Sequence, residues 1–546
     1  MPVLMRSGVM AGLIAIMLGG APTHAHEHEQ AHADHALGRV DFRISCSGQS
    51  QAEFNRATAL LHHMTYPEAR AVFERVAASE PRCAMAHWGI AMTLFQPLWP
   101  TRPGPAELRR GWAAARRAQA LEPATARERL FIAAAVAFFE DPVTASYAQR
   151  LEHWEDAMKR VHEAFPQDAE ATAFYALAHL ATAPADRNSV AHADRAAQLL
   201  LQVYERHPDH PGAMHYLIHA NDVPGRERQF LQVVRKYQTI APENPHALHM
   251  PTHIYTRLGA WPDVIEGNLR AADAALAQRA GEHGEYVWDE FPHAIEYLIY
   301  AYLQQGADGR AAAQLQRLRR TSALEPTFKT AFHLASTEAR YVLERRQWRA
   351  ARALQPRTPA SLHWERFPWA EAVTWFARGL GAAHTEQLDD TQAALAHLRR
   401  LEADADLSGE ILFTRQIRVL RLATGAWLAQ AEGRSSFALE QMQEAVELEG
   451  STPKPAVTPA PTLPAQELLG DLLLAQGRAA DALAAYERSM DIYPKRFNSL
   501  LGAARAARSA QDSVRARELY TALLDVAAPE GTREPALAEA RAFLRE

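Results

Sequence analysis

Pro464-Ala-Gln-Glu-Leu-Leu-Gly470-Asp-Leu-Leu-Leu-Ala-Gln-Gly477-Arg-Ala-Ala-Asp-Ala482-Leu-Ala-Ala-Tyr486, closing with Asp491-Ile-Tyr-Pro494, decides the fold. Apolar residues recur at helical spacing on both sides of Gly477, so the stretch reads as two helices joined by a short turn. Gly477 turns the corner, the small residues Gly470 and Ala482 let the helices touch, and Pro494 ends the second helix.

Looser units of the same kind begin near Gln51, Pro81, Pro166, Pro208, Pro242, Pro292, Thr327, Phe367, Thr414 and Lys495. The pattern is helix upon helix from about Ser50 onward, without a strand pattern, in about ten or eleven repeats. Leu98-Trp-Pro-Thr-Arg-Pro-Gly-Pro105 interrupts one unit and Gly281-Glu-His-Gly-Glu-Tyr-Val-Trp-Asp-Glu-Phe-Pro292 lengthens another. Two pairs of histidines stand in phase: His249 and His253 each follow His215 and His219 by 34 residues.

That interval and the 464–494 unit resemble the tetratricopeptide repeat. The whole chain is similar to exported bacterial tetratricopeptide-repeat proteins of about this length, through His-Ala-Leu-His-Met-Pro-Thr-His-Ile-Tyr-Thr-Arg-Leu-Gly-Ala-Trp at 246–261 and Cys-Ala-Met-Ala-His-Trp-Gly-Ile-Ala-Met at 83–92. The resemblance implies an all-α solenoid, a right-handed superhelix of helix-turn-helix repeats with a concave binding wall. It implies no reaction. Aligned on Gly259 and Trp261 at the turn, His249 and His253 take groove-facing places on the first helix of their repeat, as do His215 and His219 one period earlier. His293, Glu296 and Tyr300 continue the polar row.

Histidines four apart share a helix face with roughly 5–6 Å between their Cβ atoms, close enough for one ligand. Neutral imidazoles suit zinc, copper, nickel or iron at about 2.0–2.1 Å, so His215, His219, His249 and His253, with His293 and Glu296, form a candidate transition-metal site. The competing readings are a polar groove that hydrogen-bonds a peptide or acidic ligand, and buried structural histidines. Pro251, between His249 and His253, removes a backbone donor and obstructs the Ala247 carbonyl, so it either re-aims the pair or makes a tolerated kink. Zinc peptidase helices carry a glutamate after the first histidine, but Tyr216 and Met250 stand there. His62, His63 and His87 read as packing residues. The tryptophans read likewise, except Trp288 in the long insertion, which with Tyr300 is a candidate for ligand contact.

The net charge of -6, from 58 basic and 64 acidic side chains, gives no cationic field for nucleic acid. Arg6, the apolar run Val9 to Gly20 and Thr23-His24-Ala25 read as an export signal over 1–25, which places the mature chain in a periplasm without membrane insertion. A His-rich leader over 26–45 should be disordered. Cys46 and Cys83 suit a disulfide in an oxidising compartment. Irregular repeats fill 46–450. The five-proline stretch 451–464 is extended, preferably a linker and otherwise a strap across the superhelix. Repeats and a capping helix complete 465–546.

Three functions are consistent with these readings. The first is metal or ligand binding in the concave groove. The second is a metalloenzyme, oxidative or hydrolytic, with 281–292 as its lid. The third is a metal-free scaffold holding a protein or extended peptide partner.

Overall fold

A computed structural model describes residues 37–99, 102–141, 143–281, 283–529 and 531–546. The proposed signal and the leader up to 36 lie outside the described residues. Consecutive helices pack against one another from Gly48–His62 to Glu534–Arg545, so the described chain is an all-α stack of helix pairs. In the 464–494 unit the helices are Ala465–Ala475 and Ala479–Ile492, with Gly477 at φ +74° between them. The Tyr486 ring lies on Gly470 so closely that a Cβ there would meet it at 2.8 Å. That contact explains the small residue.

The proline-marked repeat starts coincide closely with helix starts, as Pro208 and Pro242 do with Pro211–Asn221 and Pro245–His249. Helices Ala126–Phe139 and Tyr147–Ala164 form a further pair between the Pro81 and Pro166 units, where no repeat was assigned. The insertion after Trp261–Ala277 holds the only strand pair among the described residues. Arg279–Ala280 runs antiparallel to Tyr286–Val287, a local hairpin that helical periodicity could not anticipate. No described helix is long and apolar enough to cross a membrane.

Two expectations of the chain's course are corrected, disorder at 37–45 and a plain linker at 451–464. Residues 37–45 are ordered: Phe42 is buried against Phe54, Trp88 and Phe131, and the Leu37 carbonyl accepts from His63 at 3.0 Å. The aromatic contacts supply what the polar leader lacks. Cys46 and Cys83 are joined by a disulfide that ties this segment to helix Ala84–Met92.

The 451–464 segment is a strap, not a linker. Arg340 donates to the carbonyls of Ala460 at 2.9 Å and Pro461 at 3.0 Å, and Lys454 pairs with Asp222 at 3.1 Å. Val457, Thr458 and Ala460 are buried. Proline-rich backbone has few donors of its own, so its carbonyls are satisfied by side chains such as these instead of by a ladder. The C-terminal repeats also return onto the middle of the chain. Trp261 donates to the Lys495 carbonyl at 3.1 Å, and Arg496 pairs with Glu344 and Glu467 at 2.9 Å. The histidine row is therefore enclosed, where the repeat register implied an open concave wall.

Candidate metal centre

Helix Pro211–Asn221 carries His215 and His219 one turn apart, and Pro245–His249 with Pro251–Leu258 carries His246, His249 and His253. Pro251 divides the second pair of elements. Met250 stays helical at φ -53°, ψ -41°, and the His253 N–H turns to the Met250 carbonyl at 3.2 Å. Gly259 at φ +61° then ends the helix, a conformation that L side chains seldom adopt. Helix Glu290–Gln304 adds His293, and Phe328–Leu343 adds His333.

These elements assemble two triads. Ring nitrogens of His215, His219 and His246 that could hold a metal lie within 4.8 Å of one another, as do those of His249, His253 and His293. In the first triad, His215 Nε2 is 3.1 Å from the Nε2 atoms of both His219 and His246. In the second, His249 Nε2 is 3.0 Å from His253 Nε2. All are buried except His219, which is partly exposed.

The outer ring nitrogens fix what the inner ones can be. His215 Nδ1 meets the His62 carbonyl at 2.6 Å and His246 Nδ1 meets Glu290 Oε1 at 3.0 Å. His253 Nδ1 meets Asp222 Oδ2 at 3.0 Å. Asn268 donates its amide to the Val264 carbonyl at 2.8 Å, which turns its oxygen to His249 Nδ1 at 2.7 Å. Carbonyls and carboxylates accept only, so each of these Nδ1 atoms carries a proton. A neutral ring protonated at Nδ1 presents a lone pair at Nε2. The contacts His215–His246 and His249–His253 therefore oppose lone pair to lone pair at hydrogen-bond distance. With both rings neutral these contacts hold no proton, and a cation between the nitrogens would satisfy them.

Burial, reinforced by neighbouring histidines, holds His215 and His249 well below the ordinary imidazole value, and burial also lowers His253 although Asp222 acts to raise it. Burial would raise Asp222, but Lys454, Arg257 and His253 hold it well below the carboxylate range. Burial opposes Glu290 in the same way, and Lys329 with His246 keeps it ionised. These carboxylates orient rings as outer partners of metal ligands do.

Glu296 occupies a different place from the one proposed for it. Its oxygens are taken by His333 Nδ1 at 2.5 Å, by Ser336 and by Arg340 at 3.1 Å, so it is not available as a ligand. It acts through a relay: His333, protonated at Nδ1, accepts at Nε2 from His293 Nδ1 at 2.9 Å, leaving a lone pair at His293 Nε2. Tyr300 packs edge-on to Trp261 and receives Arg496 at 3.2 Å, so it is committed to structure and not free for a ligand. Trp288 is buried, stacked 6.4 Å from Trp99, and Val287 beside it is pinned to Ala323 and Glu325. The strap, not the 281–292 insertion, covers the histidines.

His246 and His333 were missed. The 34-residue register places Gly212 opposite His246, and His333 falls outside the phase of either pair. Their only sequence signal is that they are histidines near others. Gly212 has its own reason: a Cβ there would meet the His62 ring at 2.4 Å.

A third group, His62, Glu170 and His210, is a contrast. Glu170 accepts from His62 Nε2 at 2.8 Å and His210 Nε2 at 3.1 Å, while Tyr216 donates to His62 Nδ1 and the Ala213 N–H to His210 Nδ1. Every ring nitrogen has a compatible partner. The network buttresses His62, whose carbonyl orients His215.

A cavity of about 20 Å³ is lined by His219, His246, His253, His293, Trp99, Lys329 and the strap residues Ala456 and Val457. Beside it, sharing Leu98, His219 and Ala456, lies a cavity of about 560 Å³ bounded by Asp186, Val190, Asp222, Arg257, Lys454 and Tyr493.

No protein-family model matches the chain, and no curated protein matches it. Among solved structures it is similar to a chain in the crystal structure of the APC/C hetero-tetramer Cut9-Hcn1, at 13% identity and a TM-score of 0.30, over 92% of this chain and 90% of that one. The helical-repeat description rests on the helix pairs themselves.

Proposed function

We propose that the chain is a helical-repeat protein that binds a transition metal in the histidine cluster between 211 and 300, after export to a periplasm. The observation that carries this reading is the set of inward Nε2 lone pairs, fixed by outward Nδ1–H bonds to Asn268, Asp222, Glu290 and the His62 carbonyl. Donors made only of imidazole suit zinc, copper, nickel or iron and do not suit magnesium or calcium.

Elemental analysis tests it on protein purified without a histidine tag. Wild type should hold a transition metal that a His249→Ala, His253→Ala double variant loses in part or whole. Equal metal in both would sink the reading.

The cavity of about 560 Å³ beside His219 favours a metalloenzyme as the second reading. Its volume is that of a small-molecule site, and three protein ligands leave coordination positions open, whereas a structural site is closed. An extended peptide in the groove is the third reading, and the strap at 451–464 already fills that position. Binding of a periplasmic protein regardless of chelator would support it.

A further inference from the structure

We propose that the cluster holds two metal ions side by side, one in each triad, with a small exogenous ligand between them. This rests on the metal-binding reading above and extends it to nuclearity, to a ligand not anticipated from the repeat register and to the kind of molecule bound.

Six imidazoles are more than a zinc ion takes. A structural zinc ion takes four ligands and a catalytic one about three from protein, with the remaining position open. Here the nitrogens divide into two groups of three, each within 4.8 Å. Across the groups the ring centroids are 6.1 Å apart for His219 and His253 and 6.2 Å for His246 and His249, and within the second group His253 and His293 are also 6.2 Å apart, so it is the nitrogens that define the division. Within groups His215–His246 and His249–His253 are both at 4.9 Å. The closest approach of rings on adjacent elements, His249 to His293 at 4.2 Å, falls inside the second triad.

Each triad also has its own outer support. The first is held by the His62 carbonyl and Glu290, the second by Asn268, Asp222 and the His333–Glu296 relay. No hydrogen-bonded outer partner is common to both, which gives each triad the means to fill by itself. Buried charge around them is matched: Asp222, Asp289, Glu290 and Glu296 face Arg257, Lys454, Lys329 and Arg340.

The cavity of about 20 Å³ is lined from both triads, by His219 and His246 on one side and His253 and His293 on the other. It has room for about one water-sized body. With three protein nitrogens per ion, the open coordination positions converge on that space, and a water, hydroxide or comparably small ligand placed there touches both ions. Sites with two metals a few ångströms apart clamp such an oxygen from both sides. The cavity of about 560 Å³ shares His219 and Ala456 with the small one, so a larger reactant has its place next to the bridged ligand.

The experiment is a metal count on full-length, untagged protein whose leader histidines His26, His28, His32 and His35 are replaced by glutamine. Metal-free protein is titrated separately with zinc chloride and with cupric sulfate, freed of excess, and analysed for metal per chain. Wild type should take up two ions of at least one metal, and His246→Gln and His293→Gln should each retain one. Circular dichroism confirms that each variant is folded. Azide added to the copper-loaded wild type should give a new absorption band, strongly diminished in both variants. One ion in wild type, lost in either variant, overturns the two-ion proposal while leaving metal binding standing. Two ions in wild type with both lost in either single variant overturns the independence of the triads. No uptake in any form overturns the metal-binding reading itself.

Discussion

His249 and His253 hold their Nε2 atoms 3.0 Å apart while each ring already donates through Nδ1, to Asn268 at 2.7 Å and to Asp222 at 3.0 Å. Two neutral rings so committed repel each other at that distance. One turn of helix sets the separation, and the outer acceptors set the protonation. The same arrangement recurs between His215 and His246, which come from different helices. Geometry of this kind assigns work to residues that would not themselves touch a bound metal.

Asn268→Leu removes the acceptor that orients His249 while keeping a similar volume beside Val264. Outer partners of metal-binding histidines contribute roughly 10–100-fold in affinity. We expect a loss of that order in a competition titration against a chromophoric chelator. Unchanged affinity would show that Asn268 serves packing alone.

Arg340 joins Glu296 to the strap carbonyls of Ala460 and Pro461 with its side chain fully buried. Removing one partner of a buried ion pair costs about 3–5 kcal/mol. Arg340→Met should lower stability by that order in urea unfolding and expose 451–464 to limited proteolysis. A strap still resistant to protease would mean that Lys454 and the buried Val457 and Thr458 hold it unaided.

Gly212→Ala places a methyl 2.4 Å from the His62 ring, in the network that supports His215. Overpacking of this kind costs about 1–3 kcal/mol. Thermal unfolding of the metal-free protein should show a clear destabilisation. No change in Tm would require His62 to have moved, which metal binding by the first triad would then report.

Burial pushes His63 down from the ordinary value of 6.5 to about 3, against the raising effect of the Leu37 carbonyl on one ring nitrogen, with Tyr237 on the other. His62 and His246, also near it, act in the same direction. The folded state keeps this ring neutral, and the unfolded state takes up a proton below 6.5. Its contribution is therefore complete above about 6.5 and is lost progressively as pH falls toward about 3, at about 1.4 kcal/mol per pH unit. Stability of the metal-free wild type measured between pH 7.5 and 5 should fall more steeply than that of His63→Gln. Parallel curves would contradict the buried neutral ring.

Much of the fold was legible because the repeat writes its own punctuation: Gly477 at the turn, Pro494 at the end, and prolines just ahead of Pro211–Asn221 and Pro245–His249. Five of the six triad histidines were equally legible, since His215, His219, His249 and His253 lie in phase, and His293 follows on the next repeat. His246 was not, because its place one period earlier is filled by Gly212, which packs against His62 and not against a ligand. Glu296 illustrates the opposite limit. Register brought it to the right helix, but only packing shows that His333, Ser336 and Arg340 saturate it. The strap was illegible for a related reason: proline-rich sequence announces an extended backbone, while its docking depends on Arg340 and Lys454, far away in one case and paired with distant Asp222 in the other.

The most direct measurement is anomalous scattering from crystals of the untagged protein, recorded on both sides of the absorption edge of whichever metal elemental analysis finds. The account predicts anomalous peaks within about 2.0–2.2 Å of the inward nitrogens of His215, His219 and His246, and of His249, His253 and His293. Protein that carries metal elsewhere, with no anomalous peak between those nitrogens, would contradict it.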